Sequence, residues 1–156
     1  MALRLQGGCR CDAVRFEVTE VFDAGYCHCR RCRKRSGAPV FVSVIVPRAA
    51  FRLTAGALLP DEAERLGRDM LCSACRGVVL FDMGPQDLLS IGVGLFDEPH
   101  PIRPSFHQCA SSALSWLRID SDGLERFPES AISHPRGRRA PIDPGGQSRS
   151  GAPSGK

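Results

Sequence analysis

Gly7-Gly8-Cys9-Arg10-Cys11 places two thiols one residue apart, directly after a glycine pair that lets the backbone turn tightly. Side chains two apart on extended backbone point to the same face, so both sulfurs can meet at one centre. Working outward, Cys72-Ser73-Ala74-Cys75 offers a second pair, and Cys27-His28-Cys29-Arg30-Arg31-Cys32 offers three more thiols from one short loop. Seven of the eight cysteines therefore sit in three tight clusters, and Cys109 stands apart.

Clustered cysteines bind metal in reducing compartments and pair as disulfides in oxidising ones. The N-terminus, Met-Ala-Leu-Arg-Leu-Gln-Gly-Gly, lacks the apolar core of a secretory signal, and the longest apolar run, Val40 to Pro47, is far too short to span a bilayer. The sequence thus reads as a cytoplasmic protein without membrane contact, its thiols reduced. Zinc is the expected ligand, with disulfides or an iron–sulfur cluster as alternatives. With Zn–S bonds near ~2.3 Å, the sulfurs of a tetrahedral site lie roughly 3.8 Å apart, a span that a CxC or CxxC turn meets. Seven clustered thiols are one short of two closed sites, so two zinc ions per chain are expected: one with four cysteines, one with three and an open position. A closed zinc site holds a fold together, whereas an open one does chemistry.

Spacing suggests the partition. Sixty residues separate Cys11 from Cys72. Two such turns on one ion clamp the early chain onto its middle and constrain the unfolded state, a structural role. Cys27, Cys29 and Cys32 remain for the open site. On an extended segment His28 would point away from the metal, as an exposed or supporting residue rather than a ligand. Cys109 or His107 could instead close this site, although an ordinary buried cysteine is the simpler reading of Cys109. Arg30, Arg31, Arg33, Lys34 and Arg35 would offset the excess thiolate charge and attract an anionic substrate. The alternative is a solvated basic loop; the absence of interleaved aromatics argues against nucleic acid.

At 156 residues the chain suits one domain. Its net charge of +4 belongs to the end, because five basic residues from Arg136 to Lys156 face only Asp143 there. The stretch 134–156 is rich in Pro, Gly, Ser and Arg, has Ile142 as its one large apolar residue, and is expected to be a disordered solvated tail behind a domain of residues 1–133. Its arginines would otherwise be a hook for nucleic acid or an acidic partner. Within the body, Val14 to Val18, Val40 to Pro47, Val78 to Phe81 and Leu88 to Gly94 read as short strands. Leu59 to Leu66 is the one helix candidate, with Pro60 suited to a first turn. The expectation is a mainly β domain of small twisted antiparallel sheets, pinned where cysteine turns join strands.

Gly7-Gly8-Cys9-Arg10-Cys11-Asp12-Ala13-Val14-Arg15-Phe16, Cys27-His28-Cys29 with Cys32-Arg33-Lys34 and Ser36-Gly37-Ala38-Pro39, then Cys72 and Cys75 in CxxC spacing, together resemble the glutathione-dependent formaldehyde-activating enzymes and centromere protein V-like domains. Leu95-Phe96-Asp97-Glu98-Pro99, Trp116 and Phe127-Pro128 resemble later family features, so the likeness runs over about residues 5–130. It implies an Mss4-like fold of small sheets, a structural zinc on Cys9, Cys11, Cys72 and Cys75, and a catalytic zinc on Cys27, Cys29 and Cys32. It further implies a carbon–sulfur lyase whose partners are a small thiol such as glutathione and a small aldehyde such as formaldehyde. Arg76 follows Cys75 where the family has glycine, and Leu71 stands where an aromatic is common. A different class of function is a zinc-stabilised binding module, its middle site closed and its basic loop contacting an acidic partner. Oligomeric state leaves no mark on the sequence.

Overall fold

Val42-Ser43-Val44-Ile45-Val46 has no polar face, a pattern that suits a strand covered on both sides. In the computed structural model, which describes residues 3–62, 67–119 and 122–131, this run becomes the centre of the larger sheet. Ser43, Val44, Ile45 and Val46 are all buried.

The described strands are β1 (Leu5–Gly8), β2 (Arg15–Val18), β3 (Asp23–Cys27), β4 (Phe41–Pro47), β5 (Phe51–Ala55), β6 (Leu58–Pro60), β7 (Arg68–Cys72), β8 (Val78–Asp82), β9 (Leu88–Gly92), β10 (Phe106–Gln108) and β11 (Glu125–Arg126). A single α-helix, α1 (Arg30–Ser36), accompanies them among the described residues. The strands form a three-stranded sheet, β1-β2-β5, and an eight-stranded sheet, β11-β10-β3-β4-β9-β8-β7-β6. The chain is therefore mainly β. Pairing is antiparallel except at one edge, where β10 runs parallel to both β3 and β11.

The core lies between the two sheets. Phe16 of β2 packs edge-on against Phe96 at 5.4 Å between ring centroids and tilted against Phe51 of β5 at 5.5 Å. Val44, Val46, Val79 and Ile91 from the larger sheet join the same buried cluster, as do Cys9 and Cys72. The segment Phe96-Asp97 binds back onto β1, with Phe96 bridging Gly7 and the Asp97 amide donating to the Gln6 carbonyl at 2.8 Å. Gly7 has to be glycine for that approach, because a Cβ there would lie 2.3 Å from the Leu95 carbonyl oxygen.

Two expectations are corrected. Leu59 and Pro60 belong to β6, where they pair with Leu71 and Met70; the rest of that helix candidate, 63–66, lies outside the described residues, as does the expected tail 134–156. The helix that does form, α1, falls on the basic stretch read as a loop. It has no buried residue, hence no apolar face to announce it. Its signals are local: the Cys29 thiol accepts from the Cys32 amide at the N-terminus, and Gly37 closes the C-terminus in the left-handed region at φ 71°. Arg33, Lys34 and Arg35 occupy the last turn, where the helix dipole favours cations.

Gly25 in β3 faces the Phe106 ring, and a Cβ there would approach it to 2.5 Å. Gly25→Ala is expected to destabilise the protein by about 1–3 kcal/mol through overpacking. Gly94→Ala, which meets no atom within 4 Å, should stay within ~0.5 kcal/mol of wild type in the same urea titration. Equal stabilities for the two variants would show that the β3–β10 contact is looser than described.

Candidate metal centres

The first group of thiols joins the two sheets. Cys9 leaves β1, and its amide donates to the Val14 carbonyl at 3.1 Å while the Val14 amide points at the Cys9 sulfur at 3.3 Å. Cys72 ends β7. There the Arg76 amide donates to the Cys72 carbonyl at 2.9 Å, and the Cys75 amide approaches the Cys72 sulfur at 3.5 Å. Each turn passes through a left-handed residue that is not glycine, Asp12 and Arg76, both at φ 58°. Arg76 thus keeps the conformation that glycine would adopt more cheaply, at about 1–2 kcal/mol.

These turns bring together Cys9, Cys11, Cys72 and Cys75, whose sulfurs all lie within 4.8 Å of one another. Separations are 3.4 Å for Cys9–Cys11, 3.5 Å for Cys9–Cys72 and 3.9 Å for Cys11–Cys72. Tetrahedral thiolate ligation requires about 3.8 Å between sulfurs, so the donor set fits a metal ion. The ionisation of the group agrees. Burial opposes a Cys9 thiolate, but the Val14 and Cys11 amides and the neighbouring thiols outweigh it and bring its pKa to about 6. The Ala13 amide favours a Cys11 thiolate, yet the surrounding sulfurs push its pKa up to about 12. The Gly77 amide lowers the Cys75 pKa as well, so thiolates crowd around the Cys11 thiol, a conflict that a cation resolves.

The second group lies at the parallel edge. Cys27 ends β3, in register with Phe41 of β4 and Gln108 of β10. Cys29 caps α1 and Cys32 sits in its first turn, its amide 3.2 Å from the Cys29 sulfur. Cys109 follows β10. The sulfurs of Cys27, Cys29 and Cys109 lie within 4.8 Å of one another and could hold a metal ion. Cys32 is outside that mutual set, although its thiol interacts with Cys27 first and also with Cys29, and the Cys27 contact drives its pKa strongly upward. The sequence reading supplied three of these four residues and favoured an ordinary cysteine for Cys109, with closure of this site as the alternative. Nothing in its spacing could have placed it, because the β3–β10 pairing joins segments 81 residues apart.

In the first group Cys9 and Cys72 are buried within the core, Cys75 is half-exposed and Cys11 exposed; in the second Cys27 is buried and Cys29, Cys32 and Cys109 are half-exposed.

His28 does not point outward. It is buried, and its Nε2 lies 2.9 Å from Nδ1 of His107, whose Nε2 lies 2.5 Å from a carboxylate oxygen of Asp122. Tyr26 stacks on His107 at 4.6 Å. Both ring nitrogens of His107 are engaged, so His107 is not a spare ligand. Burial, followed by the charge of His107, lowers the His28 pKa, and the His107 hydrogen bond lowers that of Asp122. With Asp122 as the acceptor of the His107 Nε2 proton, His107 Nδ1 accepts from His28 Nε2. His28 Nδ1 is then a buried acceptor without a partner among the described residues.

The basic residues divide into separate roles. Arg33 donates to the carbonyls of His28 at 3.1 Å and Ser112 at 3.2 Å, tying the cysteine loop to the segment after Cys109. Arg35 forms a largely buried ion pair with Asp69 at 3.0 Å and lies over the Phe41 and Phe81 rings. Arg31 lies over Phe81 at 4.8 Å. Arg30 and Lys34 are exposed on α1. Beyond the C-terminal end of α1, Arg35, Ala38, Phe41, Leu80, Phe81 and Leu95 help line a mainly apolar cavity of about 440 Å³.

Comparison with known proteins places the chain. A search of the curated proteins finds no match. Among solved structures, a crystal structure of a Rhodobacter sphaeroides protein is similar, with 19% identity and a TM-score of 0.49 over 78% of this chain and 98% of that one. The family described as glutathione-dependent formaldehyde-activating enzyme matches residues 4–112, which include all eight cysteines. By that match, the chain belongs to the glutathione-dependent formaldehyde-activating enzyme family.

Proposed function

We propose that both thiol groups hold zinc and that the chain is a carbon–sulfur lyase acting on adducts of a small thiol and a small aldehyde, glutathione and formaldehyde or a related pair. The observation that carries this reading is the presence, in a chain of this family, of two separate thiol groups: Cys9, Cys11, Cys72 and Cys75 in one, with Cys9 and Cys72 built into the core, and Cys27, Cys29 and Cys109, with Cys32 beside them, in the other. Cys9, Cys11, Cys72 and Cys75 would hold the structural ion. Cys27, Cys29 and Cys32 would hold the catalytic one. When bound there, zinc would supply Lewis acidity and favour a substrate thiolate at neutral pH.

The reaction class balances without an external oxidant or reductant. In an S-hydroxymethyl thiol the carbon–sulfur bond breaks, its electron pair leaves with sulfur, and the hydroxyl loses its proton as the carbonyl forms; that proton ends on the thiol. The chain's contribution is placement. Arg33 braces the cysteine loop, and Arg30 and Lys34 present exposed positive charge to substrate carboxylates. Among the described residues no helix is long and apolar enough to cross a membrane.

A second reading, a zinc-stabilised module for an acidic partner, draws on Cys109, which brings a further protein thiol to the second group. The two readings separate on whether a small thiol gains access to that zinc.

Reduced protein should contain two zinc ions per chain by elemental analysis; one zinc, or iron in its place, contradicts the assignment. Cys72→Ser should unfold or aggregate the chain, because its group ties β1 to β7. Cys29→Ser should keep the circular dichroism of wild type and lose the second zinc, so similar damage from the two variants would abolish the structural and catalytic distinction. Removing residues 134–156, taken as a tail outside the catalytic domain of residues 1–133, should leave zinc content and melting temperature unchanged. The zinc protein should accelerate equilibration of glutathione with formaldehyde above the uncatalysed background, and Cys29→Ser should lose that enhancement. Equal rates across several thiols and adducts, with binding of an acidic partner through α1, would favour the module.

A further inference from the structure

We propose that Cys109 is a resident ligand of the second centre, supplying a fourth sulfur beside Cys27, Cys29 and Cys32 in the position that a substrate thiol must take. The inference rests on the catalytic reading above and changes its resting state, from an open site to one closed by the protein's own thiol.

The geometry behind it is specific. The Cys109 sulfur lies within 4.8 Å of those of Cys27 and Cys29, a spacing compatible with shared ligation, and the Cys32 thiol, outside that mutual set, interacts with both Cys27 and Cys29. An ordinary buried cysteine sits among apolar side chains, whereas this one is half-exposed and its thiol interacts with the Cys27 and Cys29 thiols. Its backbone is left-handed, at φ 54° and ψ 38°, a region that residues with a Cβ rarely adopt. Hydrogen bonds on each side hold it there. The Cys109 amide donates to the Glu129 carbonyl at 2.8 Å, the Ala110 amide to Phe127 at 2.9 Å, and the Ser112 amide to the Cys109 carbonyl at 2.9 Å. The loop carrying Cys27 and Cys29 is fastened to the same segment by the His28 amide on the Gln108 carbonyl at 3.1 Å and by Arg33 on Ser112. Cys109 is thereby carried to the group by the fold.

An incoming thiol would then exchange with Cys109 by proton balance alone: the substrate gives up its S–H proton as it takes the position, and the released Cys109 thiolate takes one up. No redox partner is needed. Cys109 would act as a competing ligand at high local concentration, weakening thiol binding and keeping the centre closed when substrate is absent.

The test is zinc X-ray absorption on the two-zinc protein in thiol-free buffer, for wild type, Cys109→Ser and Cys109→Gly. The glycine variant suits the left-handed backbone and so guards against misfolding. Both variants should keep two zinc ions, and mean sulfur coordination should fall by one sulfur in eight as a lighter ligand replaces it. Calorimetric titration with glutathione should then show binding at least about tenfold tighter in the variants than in wild type, the signature of a removed competitor. Unchanged sulfur coordination in both variants overturns the proposal and leaves the lyase reading standing. Loss of one sulfur with no glutathione binding in any of the three proteins would instead overturn both the exchange and the lyase reading, leaving Cys109 as a ligand of a closed structural site.

Discussion

The meeting of the Cys9 and Cys72 sulfurs, 3.5 Å apart and buried, is the constraint on which the architecture depends. It joins the start of the three-stranded sheet to the far half of the eight-stranded one, across more than sixty residues. Both sulfurs belong to the same buried cluster as Phe16, Val44 and Ile91, so the group is continuous with the core rather than attached to it. A domain with so few large aromatics gains much from such a clamp, because metal binding free energy becomes folding free energy where the unfolded chain has no preformed site. Without a cation the crowded thiols oppose one another's ionisation, in line with the lowered pKa of Cys9 and Cys75 and the raised one of Cys11.

The second group depends on the first only through the sheet. β4 pairs with β9 on one side and β3 on the other, so the core that fixes β9 and β8 also fixes where β3 ends and Cys27 begins. From there the placement is local. Cys29 caps α1, Arg33 braces the loop, and the parallel pairing of β3 with β10 delivers His107 and Cys109. His28 and His107, both buried, are hydrogen-bonded to one another in a chain that ends on the partly exposed Asp122.

Much of this was legible in the residues, for identifiable reasons. The CxC and CxxC spacings carry geometric information, since sulfurs two or three residues apart are constrained by the backbone alone, and they picked out seven of the eight thiols. The apolar, β-branched run of β4 likewise encodes burial directly, whereas in β2 the alternation does not, since Glu17 is buried with Phe16 and Val18. α1 was hidden because a seven-residue helix without a buried face has no periodicity to detect; only Gly37 and the basic last turn marked it. Arg33 and Arg35 looked like substrate contacts because sequence shows charge and not its partner, and the partners, Ser112 and Asp69, lie tens of residues away. Asp122 was out of reach for the same reason, and Cys109 could be named as a possible ligand but not placed.

Under the proposed function one zinc would hold the fold and the other would exchange ligands. Graded removal of zinc from the native protein with a chelator, followed simultaneously by zinc release and circular dichroism, tests that most directly. One equivalent should leave first with the spectrum intact, and the second should leave only as the β structure is lost. Release of both equivalents in a single step that coincides with unfolding would contradict it.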